Sequence, residues 1–206
     1  RSDWIDAVVY TNCMNENDLD QRPTRDLSMD TLMGVLNGEI LIQNHCYRAE
    51  EMAMMTELSK EFNYKITAFH HAVEAYKIAD LLADEGICGA LWADWWGFKH
   101  EAYDMVPANI AIVDQARGGK GCAIVHSDDE VGIQHLNQEA AKALSAGLRA
   151  GYEISKARAI KWITSNPAKA AGILDQTGTI EIGKDADLVI WSKNPFSVYA
   201  LSLIHI

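Results

Sequence analysis

Between residues 40 and 150 the sequence keeps repeating one alternation: a short, near-continuous apolar run, then a longer stretch with helical spacing. The apolar runs are 40–44, 65–69, 88–92 and 122–126. The helical stretches that follow them are 49–62, 73–85, about 107–116 and 138–150. Runs this short and this apolar suit strands covered on both faces. Short links between strand, helix and next strand imply a parallel sheet, because parallel neighbours need a crossover. Turn signals agree with the spacing. Gly86 closes the second helix, and Asn37-Gly38 closes an earlier one over 29–36 that either Asp26 or Ser28 caps.

About four strand–helix units are about half of an eight-fold (β/α)8 barrel. The flanking segments read differently. The run Ala7-Val8-Val9-Tyr10 fits a helix end or a strand, and 12–25 is a polar loop. A long loop, 93–102, follows the third apolar run. After Gly151 a helix over 155–163 leads to Thr164-Ser165-Asn166-Pro167, which opens a short helix with Pro167 at its first position. Gly178-Thr179-Ile180 and the run from Ala186 to Trp191 are strand-like and joined by Gly183-Lys184-Asp185. They predict a hairpin in a small β-rich subdomain. The last residues, 201–206, are unlike what precedes them and are set aside as a non-native or truncated tail.

The chain of 206 residues can bury a substantial core in one or two domains. Its net charge of −11 argues against a nucleic-acid surface, which needs a basic patch. No apolar run is long enough to span a bilayer. The four cysteines are scattered without a CxxC pair, so neither a zinc ribbon nor a redox motif is supported. Cys88 and Cys122 lie in strand-like runs and read as small core residues. No signal peptide is visible, and the chain begins without a methionine. The compartment therefore stays open, with the cytoplasm favoured.

Three apolar runs end on chemistry-bearing residues: His45 after the first, His70-His71 after the second, and His126-Ser127-Asp128 after the fourth. Barrel enzymes place their sites at this end of the strands. Imidazole nitrogen and carboxylate oxygen suit zinc and similar ions, so His45, His71 and Asp128 are candidate metal ligands. Taken singly, a histidine at a strand end is more often a hydrogen-bonded structural residue than a ligand, and it is the three in register that favour a metal. Strand alternation allows only one of His70 and His71 to point inward. His126, two residues before Asp128, reads as a deeper support or a satisfied core histidine.

At these residues the sequence resembles the amidohydrolase superfamily of metal-dependent hydrolases, near its imidazolonepropionase-like members. The matching stretches run from Asn44 to Met52, from His71 to Asp80, and over His126-Ser127-Asp128-Asp129. They continue with Thr164-Ser165-Asn166-Pro167-Ala168 and the run from Gly178 to Val189. The resemblance covers about 27–200. It implies an α/β fold: the C-terminal half of a TIM-like (β/α)8 barrel, strands about five to eight over 1–163, followed by part of a small β-sandwich subdomain. In that subdomain 164–200 form the return segment. It also implies hydrolysis of an amide or cyclic amide C–N bond by a metal-activated hydroxide. His45, His71 and Asp128 would bind one or two divalent ions, zinc foremost, and Asp128 would shuttle the proton. The family's first ligand pair, His-x-His, does not occur in this sequence, nor does a placeable bridging lysine or carboxylate. The expectation is a fragment of a longer enzyme, inactive alone. Where relatives often show a further histidine, this sequence has Tyr47.

Substrate contacts are expected from the loops. Trp95, Trp96 and Lys99 follow the third run, and aromatics there can wall a pocket while Lys99 meets a substrate carboxylate. The tryptophans read equally well as loop residues packed on helices. Arg48 and Tyr76 are further candidates, although Tyr76 also fits simple packing. The expected partner is a small-molecule substrate, with a homo-oligomer allowed. The alternatives are a non-catalytic amidohydrolase-like interaction protein and a deaminase of the same superfamily.

Overall fold

The structure is a computed structural model, and it describes residues 1–16, 20 and 22–205. The chain divides into two units, 1–42 with 54–66, and 43–53 with 67–206.

In the first unit, α1 (Ser2–Met14) and α2 (Leu27–Leu36) pack together. The open alternative for residues 7–10 is settled as helix, with Ala7 and Tyr10 buried. Asp26 is the cap of α2. Its carboxylate accepts the backbone N–H groups of Ser28 (2.8 Å) and Met29 (3.1 Å), donors with no partner inside the helix. The Tyr10 hydroxyl donates to Asp30 across the pair, at 2.7 Å. Trp4 stacks on Tyr64 with centroids 4.3 Å apart.

The sheet holds β1 (Ile42–Cys46), β2 (Ile66–His71), β3 (Cys88–Leu91) and β4 (Cys122–Val125), in that spatial order. β2–β3 and β3–β4 are parallel, with Ala68 opposite Cys88 and Cys88 opposite Cys122. Strand order follows chain order without reversal, as in a barrel wall and unlike a doubly wound sheet. The crossovers are α3 (Ala49–Glu61), α4 (Ala79–Glu85) and α5 (Asn109–Gly119), and α6 (Leu136–Arg149) follows β4. α4 packs on α5 and α5 on α6. The helix expected over 73–85 is a 3-10 turn (Ala75–Ile78) followed by α4, which Gly86 ends in the left-handed conformation (φ 68°).

One sheet face carries Ala68, Cys88, Ala90, Cys122 and Ile124, packed with Ala170. Cys88 and Cys122 are buried, as small core residues would be, and are also joined as a disulfide across their register pair. Beyond the sheet, α7 (Lys156–Ala159), a 3-10 turn (Ile160–Ile163) and α8 (Ser165–Ala170) close the helical part. Pro167 occupies the third position of α8 rather than the first. It still lies in the first turn, where the missing N–H costs nothing. The Asn166 side chain donates to the Ala123 carbonyl of β4 at 2.7 Å, which ties this motif to the sheet.

The expected hairpin does not form. Gly178–Ile180 is not a strand, and β5 (Val189–Trp191) pairs antiparallel with β6 (Ser202–His205), inside the tail that was set aside. Side chains of the intervening motif fold it back on itself instead. Lys184 donates to the Leu174 carbonyl (2.5 Å) and to Thr179 (2.6 Å), and Thr177 donates to Asp187 (2.8 Å).

Candidate active site

β2 ends on His71 in a left-handed backbone conformation (φ 66°), and Ala72 follows with φ 37°. Non-glycine residues occupy this region only when their surroundings hold them there. Three contacts do so. The Ala72 N–H donates to the Cys46 carbonyl (2.9 Å), and the Asn109 side chain donates to the carbonyls of Ala72 (3.2 Å) and Val73 (3.0 Å). Asn109 is buried at the start of α5. Buried Glu74 adds a further tie by accepting the N–H of Ala49, the first residue of α3, at 3.0 Å.

The turn overrides strand alternation. His70 and His71 were expected on opposite faces, yet their ring centroids lie 6.3 Å apart and both rings approach His126, at 5.7 and 5.0 Å. His70 also bonds Gln43 at 2.7 Å. The His45 ring, exposed at the end of β1, is 4.4 Å from that of His71. β4 ends at Val125, so His126 to Asp128 is loop, and Asp128 too is left-handed (φ 55°). Its Oδ2 lies 3.5 Å from His71 Nδ1, within ion-pair range but not aligned as a hydrogen bond. Beside Asp128 opens a cavity of about 610 Å³, lined also by His126, Ile133, Leu136, Ile163 and Pro167.

Burial sets the protonation of the cluster. It depresses His71 to about 4, opposed by the Asp128 charge and reinforced by His45, His70 and Lys99. Burial likewise lowers His126 to about 4, and His70 below its ordinary value. The rings are therefore neutral at neutral pH, the state in which imidazole binds metal. His71 Nδ1 and His126 Nε2 are buried without a hydrogen-bond partner. Neutral imidazoles beside a carboxylate fit a zinc-type ion in donor chemistry. Their approach is pairwise, however: among the described residues no three of His, Cys, Asp or Glu are arranged to hold an ion. Cys46 takes no part. Its Sγ points toward Arg48 and Glu51, and burial raises its thiol to about 11.

The loop candidates separate. Tyr47 is buried with its ring 5.3 Å from His71 and 4.9 Å from His45. Lys99 Nζ lies 4.2 Å over the Tyr47 ring. Trp95 stacks on Trp92 (5.2 Å), which in turn lies 4.9 Å from His71. Three other candidates turn elsewhere. Trp96 donates to the Tyr103 carbonyl (2.8 Å), Arg48 pairs with Glu50 (2.5 Å), and Tyr76 donates to the Asp104 carbonyl (3.0 Å). Sequence reasoning missed Trp92, Glu74 and Asn109. Trp92 was legible only as the end of an apolar run, and Asn109 only as a polar residue near a helix start.

A parallel strand–helix sheet that gathers histidines and an acid at the C-terminal ends of its strands has the layout of an α/β-barrel enzyme. Comparison with known proteins makes this specific. Residues 114–203 match the model of the Amidohydrolase family. The chain is 30% identical over 205 residues to amidohydrolase tasK of Hapsidospora irregularis, covering 97% of this chain and 20% of that protein. It is 66% identical over 32 residues to an imidazolonepropionase of Brucella anthropi, covering 16% and 8%. Among solved structures, an amidohydrolase from Thermotoga maritima superposes with a TM-score of 0.84 at 26% identity, over 100% of this chain and 52% of that one. The chain thus spans about half of the solved neighbour and a fifth of tasK. The three comparisons agree on the amidohydrolase superfamily, which the strand-end motifs resemble.

Proposed function

We propose that this chain contributes strands five to eight of a metal-dependent barrel hydrolase that cleaves a C–N bond of an amide or cyclic amide. On this reading 1–163 belong to the barrel and 164–200 return toward a β-sandwich subdomain. The observation that carries it is the pairing of His71 with Asp128: a buried, unpartnered imidazole nitrogen 3.5 Å from a carboxylate, with His45 against the same ring.

His45, His71 and Asp128 are the residues that would hold the ion, with other ligands supplied outside this chain. A bound divalent ion, zinc by the donor set, acidifies water and polarises the carbonyl. The chain's own groups do the rest. Asp128 takes up a proton on its carboxylate and delivers it to the departing nitrogen. His71, neutral and packed among Tyr47, Trp92 and His126, presents a ring nitrogen without a hydrogen-bond partner. Trp92 and Trp95 exclude water from one side of the histidines.

The test is metal analysis and kinetics on the complete gene product. His45→Ala combined with His71→Ala is expected to lower bound zinc, and unchanged stoichiometry would reject both ligands. Asp128→Ala is expected to lose activity by about 10²–10⁴-fold, and full activity would reject the shuttle. A second reading, a non-catalytic relative, is favoured by the lack of any three-donor group among the described residues. Absence of both metal and amidase activity from the complete protein would establish it.

A further inference from the structure

Three of the strand-end loops are laced together by side chains that the histidine chemistry does not use. Glu74, buried in the loop after β2, donates its N–H to the Tyr47 carbonyl at 3.0 Å, and its carboxylate accepts the N–H of Ala49 at 3.0 Å. Ala49 opens α3, so that N–H has no partner inside the helix. Both bonds grip the segment that follows His45. The other oxygen of Glu74 pairs with Lys77 Nζ at 3.0 Å, and the same ammonium reaches the Asp104 carboxylate at 2.9 Å. Tyr76, beside Lys77 on the 3-10 turn, donates to the Asp104 carbonyl at 3.0 Å. Asp104 is thus held at both main chain and side chain, and it lies in the loop after β3 that carries Trp92 and Trp95.

We infer that Glu74 and Lys77 are positioning residues: Glu74 seats the His45 loop against the turn of His71, and Lys77 carries that setting on to Asp104 and the loop of Trp92. The inference rests on the hydrolase reading for what the positioned groups do. The His45 side chain stands exposed at the end of β1, and the bonds of Glu74 fix the main chain just beyond it. A ligand that loses its outer support binds its ion less tightly, so this fixing bears on the metal. A surface pair such as Lys77 with Asp104 adds little to stability, so its worth lies in where it fixes the loop. Glu74 differs in being buried with both oxygens engaged, which holds two neighbours at set distances from one side chain. The two carboxylates raise the Lys77 ammonium above its ordinary value, Asp104 foremost, so the bridge stays charged at neutral pH. Loops on separate crossovers are in this way set relative to one another, as a site assembled from several strand ends requires.

The experiment uses the complete protein loaded with cobalt(II), whose visible absorption reports the geometry of its ligands. Glu74→Ala is expected to bind cobalt about tenfold more weakly and to shift that absorption. Glu74→Gln, whose amide oxygen still accepts the Ala49 N–H, is expected to keep the wild-type spectrum. Lys77→Met is expected to keep the spectrum but to speed amide hydrogen exchange in the loop after β3 about threefold, with the rest of the chain unchanged, and Lys77→Arg to restore it. Wild-type affinity and absorption in Glu74→Ala, wild-type exchange in Lys77→Met, or exchange that rises evenly along the chain would overturn the inference, the last because it marks a general loss of stability. If Glu74→Ala does not fold, the exchange of Lys77→Met decides. A wild type that binds no cobalt rejects the hydrolase reading; a local rise in Lys77→Met then still supports the strut between loops, and no rise overturns it. Amide hydrolysis by the wild type, beside variants unchanged in spectrum and exchange, rejects this inference alone.

Discussion

The side-chain amide of Asn109, at the start of α5, holds the carbonyl of Ala72 at 3.2 Å, one residue beyond His71. A residue on one crossover helix thereby fixes a left-handed turn at the end of a strand that comes well before it in the chain. The turn in turn sets where the side chain of a candidate ligand leaves the main chain.

Removing that amide should loosen the turn. Asn109→Ala leaves two buried carbonyls without this donor, and the expected loss is about 2 kcal/mol in urea unfolding. Zinc affinity of the complete protein is expected to fall by about tenfold, as when a ligand loses its outer support. Wild-type stability and affinity in this variant would refute the positioning role.

Asp114 is fully buried, and Arg158 spans both of its oxygens at 2.9 and 3.0 Å while Trp162 donates to Oδ1 at 2.8 Å. Arg158 also donates to the Gly119 carbonyl at 2.6 Å, so one side chain joins α7 to the turn before β4. Asp114→Ala strands the guanidinium, and the expected cost is about 3 kcal/mol or more in chemical denaturation. A change within error would show the pair to be dispensable.

Two nearby glycines should respond to the same substitution to different degrees. A Cβ on Gly121 would collide with the Val113 backbone carbonyl, whereas one on Gly118 meets open space. Gly121→Ala is expected to lose more than about 2 kcal/mol or fail to accumulate in soluble form. Gly118→Ala is expected to cost only about 1 kcal/mol, the penalty for its positive φ. Thermal melts of the two variants side by side decide this.

Acid should unfold the first unit partly through Asp30. Hydrogen bonds from Arg25 (2.5 Å) and Tyr10 (2.7 Å) hold its carboxyl below the ordinary value of 3.8. A depressed carboxylate contributes stability that is complete above the unfolded pKa and is lost as the pH falls through the folded one. Melting temperatures followed from about pH 5 to about pH 2 should therefore drop less steeply in Asp30→Asn than in the wild type. Parallel curves would remove Asp30 from the account.

What the sequence made legible was whatever depends on local pattern. The apolar runs at 40–44, 65–69, 88–92 and 122–126 all became strands, each within two residues of its expected limits, because short apolar runs between turn signals have few other uses. The pairwise approach of His71 to His45 and to Asp128 agrees with their shared place at strand ends. The approach of His70 does not, since it depends on a left-handed turn that alternation does not foresee. Arg48, Tyr76 and Trp96 were plausible by position alone, but each had a nearer partner in Glu50, Asp104 or Tyr103. The failed hairpin has the same origin. Lys184 and Asp187 hold their segment by side-chain bonds, and strand propensity carries no record of those.

The left-handed turn at His71 bears on any attempt to transplant this chemistry. The direction in which the His71 side chain leaves the main chain is set by the backbone turn, and packing against Tyr47, Trp92 and His126 sets the ring from there. A designer who grafts the histidines onto another barrel without the two inverted residues and the carboxamide beneath them would copy the letters of the site and lose its spelling.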